Sequence, residues 1–195
     1  RIAGHDPVAI KQVLDLGAQT LMVPMVETAE QAQAIVTASR YPPAGERGLG
    51  GARAARWGGY PAYVAEANAQ VCIIAQIETA TAVDNIEAIA AVDGIDALFL
   101  GPADLAATEG LLGGSSFDAL FKLTGEALAR IRRVDDPEAV EMTVRAAAAC
   151  TFGTRLGALA EVVVRPSLTE VFASRAATAA RTPSTLLMPG SPTGF

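Results

Sequence analysis

The sequence predicts an α/β fold built on a parallel sheet, and three observations carry that prediction. Strand-length apolar runs alternate with helix-like stretches at least three times. The runs are continuous rather than alternating in polarity, the mark of strands buried on both faces by flanking helices. The helical stretches also carry local start and stop signals.

The elements follow in order. Residues 6–17, DPVAIKQVLDLG, open on Asp and Pro, place apolar side chains at Val8, Ile10, Val13 and Leu14, and stop at Gly17, which predicts a helix. TLMVPMV over 20–26 has the length of a buried strand, with Met22 and Met25 expected in the core. AEQAQAIVTASR over 29–40 reads as a helix ended by the Pro42-Pro43 breaker. A Gly- and Arg-rich loop covers 44–59; Arg47 and Arg53 are expected as solvated charges, with reach to the far end of an acidic substrate as the alternative, and Trp57 and Tyr60 as residues that cover the core or contact a neighbouring subunit. PAYVAEANA is a short helix with Pro61 in its first turn. VCIIAQIE is a strand, ATAVDNIEAIAAV one helix, DALFLG a strand, and residues 117–132 an amphipathic helix. A closed TIM-type barrel and an open doubly wound sheet both fit this order. No GxGxxG follows any strand, which argues against a dinucleotide site.

With 195 residues, 51% hydrophobic and 18% charged, the chain is long enough for one globular domain with a sizeable core. A net charge of −6 speaks against a nucleic-acid partner, which needs a basic stripe. No apolar run reaches the roughly 18 residues of a membrane span. Cys72 and Cys150 form no CxxC pair, and Cys72 lies in an apolar run, so a buried thiol and a cytoplasmic location are expected. The chain opens on Arg1 rather than Met and is read as processed or as a fragment. Beyond residue 132 the text changes: eight of the thirteen arginines lie from Arg130 onward, and Lys is absent after Lys122. Residues 161–164 are a candidate strand, and the Ala/Thr/Pro/Ser-rich residues 176–195 are expected to be poorly ordered.

Two apolar strands end in carboxylates, Glu78 and Asp104. In a parallel α/β sheet chemistry collects at the carboxyl ends of the strands, so these two acids should share one rim. Such a pair suits a hard divalent cation that keeps waters or takes substrate oxygens. The GPAD turn adds the backbone N–H groups of Ala103 and Asp104, which suit an anion. The competing reading is that both acids merely offset helix dipoles. Spacing alone leaves the two open.

At these residues the sequence resembles the class II, metal-dependent pyruvate aldolases typified by 4-hydroxy-2-oxoheptanedioate aldolase. The resemblance rests on DPVAIKQVLDLGAQTLMVPMVETAEQA, SRYPPAGERGLGG, ARWGGYPAYVAEAN, QIETATAVDNIEAI and VDGIDALFLGPADLA, which run in order through residues 1–132. It implies a (β/α)8 TIM barrel, present in part, with strands 3 to 6 in residues 1–132 and a divergent remainder over 133–175. By the same resemblance Glu78 and Asp104 match the metal-binding carboxylates, for Mg²⁺, Mn²⁺ or Co²⁺. Ala103 and Asp104 would offer N–H groups to the pyruvate carboxylate, and Gln76 points into the same site. Arg1 matches a catalytic arginine on the substrate's keto oxygen, and Asp15 an aspartate that acts with a histidine in proton transfer. The implied reaction cleaves a 4-hydroxy-2-oxo acid, such as 4-hydroxy-2-oxoheptanedioate, to pyruvate and an aldehyde. A 2-keto-3-deoxy sugar acid aldolase, or an inactive chain that binds only metal and pyruvate, are the alternatives. The implied partners are a small 2-oxo acid and further copies of the chain in a homo-oligomer, with no membrane and no nucleic acid. The other aldolase route needs a Schiff-base lysine at a strand end. Lys11 and Lys122 both fall inside predicted helices, which favours the metal route.

The chain departs from the family pattern twice. The family places two strands and an active-site histidine before the position of Arg1; here His5 is the sole histidine and reads as a loop residue. The C-terminal third matches the family's last strands only faintly, and a shifted reading frame beyond Arg132 is one explanation. A partial barrel would leave strand edges unpaired, so the chain alone is expected to be marginal or prone to association, with little activity.

Overall fold

The computed structural model describes residues 1–112, 117–134, 143–144 and 162–164. Helix α1 (Pro7–Asp15) starts where the Asp6 carboxylate accepts the N–H groups of Val8 and Ala9 at 2.9 and 3.1 Å, and the chain leaves it through Gly17 at φ 102°. Its buried face is Ile10 and Leu14. Strand β1 (Thr20–Val23) follows, then α2 (Ala29–Ser39), capped by Thr28 on the Gln31 N–H, with Gln31 reaching back to the Glu27 N–H at 2.7 Å. A short 3-10 turn (Arg56–Gly58) interrupts the loop before α3 (Tyr63–Gln70) and β2 (Cys72–Ile77).

The next helix was expected to be continuous and is not. It divides into α4 (Ala80–Asp84) and α5 (Ile86–Ala90) at Asn85, whose φ and ψ of −102° and 13° leave the helical region. The Asn85 Nδ2 donates to the Glu27 carbonyl at 2.8 Å, so a tertiary bond holds the break. Strand β3 (Ala97–Leu100), α6 (Pro102–Thr108) and the long α7 (Phe117–Val134) follow. β4 (Thr143–Val144) and β5 (Val162–Val164) are short, and β5 falls on the strand expected over 161–164. Otherwise the expectations for 133–175 and 176–195 lie outside the described residues.

The sheet order is β1-β2-β3-β5-β4. β1, β2 and β3 run parallel, with Val23 opposite Ala75 and Gln76 opposite Phe99. β5 runs antiparallel to β3, and β4 antiparallel to β5. Among the described residues the sheet is therefore open, and the closed barrel is not seen. Closure needs each new strand to enter parallel after a helical crossover. Here the strand beside β3 enters reversed. On the free edge of β1, the Ile2 N–H donates to the Met22 carbonyl at 3.0 Å, so the first residues lie alongside β1.

Leu21, Val23, Ile73, Ala75, Ile77, Leu98 and Leu100 form one face of the sheet and pack in a single core with Ile10, Leu14, Ile35, Ile86 and Ile89 from the helices. The opposite face carries Cys72, Gln76 and Ala97, which are buried, and Met22, Ile74 and Phe99, which are half-buried. The continuous runs had implied full burial of both faces, whereas one face is half-covered. Cys72 is buried, as expected, and holds no disulfide; Cys150 lies outside the described residues. Among the described residues no helix is long and apolar enough to cross a membrane.

Helix α7 is tied to α5 by Arg130, which donates to both Glu87 oxygens at 2.8 and 2.5 Å and to the Asp84 carbonyl at 3.0 Å. This hydrogen-bonded pair holds the Glu87 carboxyl at about 2, down from 4.5. A depressed carboxyl contributes stability that is present above its unfolded value and lost as pH falls through its folded one. Acid titration should therefore loosen α7 between roughly pH 4.5 and 2, and Glu87→Gln should remove that step. Because the pair is exposed and screened, the change should stay under about 1 kcal/mol. Urea midpoints taken across that pH range measure it.

Candidate active site

Glu78 follows the last residue of β2 and shares the face of Gln76, two residues back, because strand side chains alternate. It is 1% exposed, rare for a carboxylate. Its Oε1 accepts the Met25 N–H at 2.9 Å, and its Oε2 accepts the Gln76 Nε2 at 3.1 Å. Thr108 of α6 points its hydroxyl at the Glu78 carbonyl, 3.4 Å away. Burial pushes the Glu78 carboxyl above the usual range, the Met25 N–H opposes that, and the neighbouring Asp104 raises it further.

Asp104 stands in the first turn of α6, at the end of β3, and Arg1 approaches it with Nη1 4.0 Å from Oδ2. Both are about half-exposed, so the site has a buried wall at Glu78 and Gln76 and an open side at Arg1 and Asp104. Ala103 and Asp104 occupy the first turn of α6, where backbone N–H groups have no acceptor within the helix and the Gly101 cap supplies no side chain. The structure thus brings Arg1, Gln76, Glu78, Ala103 and Asp104 to one rim.

Asp15 is elsewhere. The nine residues of α1 carry the chain roughly 13 Å along the helix to Asp15, into a separate cluster of charges. There Asp15 pairs with Lys11 and accepts Arg47 Nη2 at 2.8 Å. Burial alone would raise the Asp15 carboxyl, but the Lys11 and Arg47 hydrogen bonds outweigh it and hold it below the usual range. Proton transfer beside Arg1 within this chain does not match that position. Arg47 likewise departs from its expected solvated state: it is 2% exposed, donates to the Tyr63 hydroxyl at 3.0 Å, and lies 4.4 Å over the Tyr41 ring. Arg53 and Trp57 are exposed, and Tyr60 bonds Glu66 and Gln70 on the surface of α3.

Met25, expected in the core, is 40% exposed with φ 53°, and it serves the site through its backbone. The signal for it in the sequence is Pro24, which ends β1 and leaves the next residue at the rim. Gly101 is the other residue that pattern reading missed. A Cβ there would lie 2.7 Å from Glu78 Oε2, so the absent side chain is the space the carboxylate fills.

The donor set suits a hard divalent cation. Glu78 and Asp104 place two carboxylates together, and the buried Gln76 Oε1 beside them has no hydrogen-bond partner among the described residues. No third His, Cys, Asp or Glu joins them among the described residues. Glu78 and Asp104 would hold it, with Gln76 bracing Glu78.

Comparison with known proteins bears on this geometry. The chain is 89% identical over 140 residues to a protein of Novosphingobium aromaticivorans named 4-hydroxy-2-oxovalerate aldolase, a match covering 72% of this chain and 53% of that one. It is 52% identical over 125 residues to a 2-keto-3-deoxy-L-rhamnonate aldolase of Klebsiella pneumoniae subsp. pneumoniae, covering 63% and 47%. The chain spans about half the length of the curated relatives it matches. Among solved structures, a HpcH/HpaI aldolase/citrate lyase family protein from Burkholderia cenocepacia J2315 superposes with a TM-score of 0.64 at 42% identity, over 69% of this chain and 54% of that one. The family model described as HpcH/HpaI aldolase/citrate lyase matches residues 1–180, past the Arg132 limit of the quoted motifs. On that match, and with its two carboxylates at adjacent strand ends, the chain belongs to the HpcH/HpaI aldolase/citrate lyase family.

Proposed function

We propose that this chain carries the metal- and pyruvate-binding side of a class II aldolase site, which cleaves a 4-hydroxy-2-oxo acid to pyruvate and an aldehyde. The observation that carries the reading is the buried Glu78 carboxylate facing Asp104, with the Arg1 guanidinium 4.0 Å from the latter. The complete protein is proposed to close this sheet into the (β/α)8 barrel.

The residues divide the work as follows. Glu78 and Asp104 hold the divalent cation, Mg²⁺, Mn²⁺ or Co²⁺, whose contribution when bound is Lewis-acid polarisation of the 2-keto oxygen. The Ala103 and Asp104 N–H groups seat the substrate carboxylate. Arg1 places a fixed positive charge where the keto oxygen gains negative charge as the C3–C4 bond breaks. The electrons of that bond pass into the pyruvate enolate, while the 4-hydroxyl gives its proton to a general base, a water molecule in this assignment, and becomes the aldehyde; a proton returned to C3 of the enolate completes pyruvate. Asp15, whose carboxylate is engaged by Lys11 and Arg47, is given no part in these steps.

The name of the Novosphingobium relative favours 4-hydroxy-2-oxovalerate over the longer heptanedioate, and the Klebsiella relative supports a 2-keto-3-deoxy sugar acid as the second reading. The test is pyruvate release from each acid with Mn²⁺, with and without EDTA. EDTA-sensitive release, abolished by Glu78→Ala, is the expected result for the complete protein, with little release from this chain alone. Release that survives both EDTA and Glu78→Ala would overturn the reading. Pyruvate-dependent Mn²⁺ binding without turnover of any of the three acids would show a binding chain rather than an enzyme.

A further inference from the structure

We propose that Met25 and Gly101 are positioning residues that set the orientation of the Glu78 carboxylate, Met25 by its backbone N–H and Gly101 by the space it leaves. The inference rests on the reading of Glu78 as a metal-holding group. Its own support is the geometry around that side chain.

β2 lies between β1 and β3 in the sheet, and each neighbour sends one device to Glu78 just past its end. From β1 comes Met25. Val26 donates to the Gln76 carbonyl at 3.3 Å, so the chain rejoins β2 one residue later and Met25 alone is turned out. The Met25 N–H is thereby aimed at Glu78 Oε1, 2.9 Å away. A non-glycine residue at φ 53° is strained, and such strain persists only where the surroundings over-determine it. The Met25 side chain is 40% exposed, so its packing does not account for the turn. The bond to Glu78 does.

From β3 comes Gly101. A Cβ there would meet Glu78 Oε2 at 2.7 Å and Glu78 Cβ at 3.0 Å. Oε2 has no slack to yield, because Gln76 holds it and Met25 holds its twin. The Gly101 backbone, at φ −99° and ψ 86°, lies outside the left-handed region, so alanine is excluded by the carboxylate and not by the main chain. A long, three-torsion side chain is thus limited to one pose, with its carboxylate beside Asp104.

The test measures Mn²⁺ binding to the full chain by electron paramagnetic resonance, together with water-proton relaxation of the bound ion and the thermal midpoint without metal. Gly101→Ala should weaken Mn²⁺ at least about tenfold, in the range seen when groups that orient metal ligands are removed. Relaxation per bound ion should rise as water replaces the displaced carboxylate, a signature that a purely structural role would not give. Met25→Gly keeps the N–H in a conformation glycine accepts and should bind within about twofold of the parent. Met25→Ile, whose branched side chain resists positive φ, should match the loss in Gly101→Ala. The Met25 pair decides the matter if Gly101→Ala fails to fold. Parental affinity in Met25→Ile, or equal losses in Met25→Gly and Met25→Ile, would overturn the proposal while leaving the metal site intact. A parent chain whose Mn²⁺ binding is indifferent to Glu78→Ala would overturn the functional reading and this proposal with it.

Discussion

Glu78→Gln should abolish Mn²⁺ binding and at the same time make the metal-free chain more stable. The two effects share one cause. Glu78 is 1% exposed, and its charge is opposed by burial and by Asp104, so the folded chain holds an anion at a cost that a cation would offset. Glutamine keeps the shape and removes the charge. Its hydrogen bonds can also be remade: Oε1 keeps the Met25 N–H, and its amide N–H₂ turns to Gln76, whose own amide flips to present the Oε1 that now lacks a partner. A gain of about 1–2 kcal/mol is expected, on the scale found when buried charges are replaced by neutral groups of similar volume. For a chain of this size that is a rise of roughly 2–8 °C in thermal midpoint. Mn²⁺ titration and thermal melts in EDTA measure the two halves. A variant that loses metal and also loses stability would show that Glu78 is a structural group.

Arg47→Met is expected to have the opposite profile, a large loss of stability. Arg47 is 2% exposed and holds together Asp15, Tyr63 and the Tyr41 ring where α1, α2 and α3 converge. Removing one partner of a buried ion pair costs about 3–5 kcal/mol, because the other charge is left uncompensated. Against a total of roughly 5–15 kcal/mol for a domain, that is enough to unfold much of the population at 37 °C. Lys11 still pairs with Asp15, so the loss should fall at the lower end of that range. Asp15→Leu combined with Arg47→Met should recover part of it, because the pair is then removed as a unit. Urea unfolding of the two single variants and the double variant reads the coupling directly. If Asp15→Leu left stability unchanged and only lowered turnover, the ion-pair account of Asp15 would fail.

Much of the rim was legible in the pattern of residues. Glu78 and Asp104 sit at consecutive strand ends, and strand-end carboxylates in a parallel sheet share one rim whatever the details of packing. Gln76 follows from alternation two residues before Glu78. Less of the support was legible. Pro24 marks where β1 ends, but nothing local tells Met25 from the buried Val26, since its role lies in the direction of an N–H. Gly101 reads as an ordinary helix-start glycine until the carboxylate beside it is seen. Arg47 sits in a loop rich in Gly and Arg, where solvated charge is the default, and only the aromatic pocket of Tyr41 and Tyr63 makes its burial affordable.

By itself the sequence determined the alternation of helices and strands through residue 132, apart from α6, which it read only as a turn, together with the parallel pairing of the first three strands and the two acids at the rim. These follow from periodicity and capping, which act within a few residues. The tertiary structure alone decided which groups Asp15 pairs with, how Glu78 is held, where the helix before β3 breaks, and that β5 enters antiparallel. Each depends on a contact between residues far apart in the chain: 32 positions for Arg47 and Asp15, 53 for Met25 and Glu78, 58 for Asn85 and Glu27. No local spacing encodes such a contact, because the partners meet only after the sheet and its helices have packed.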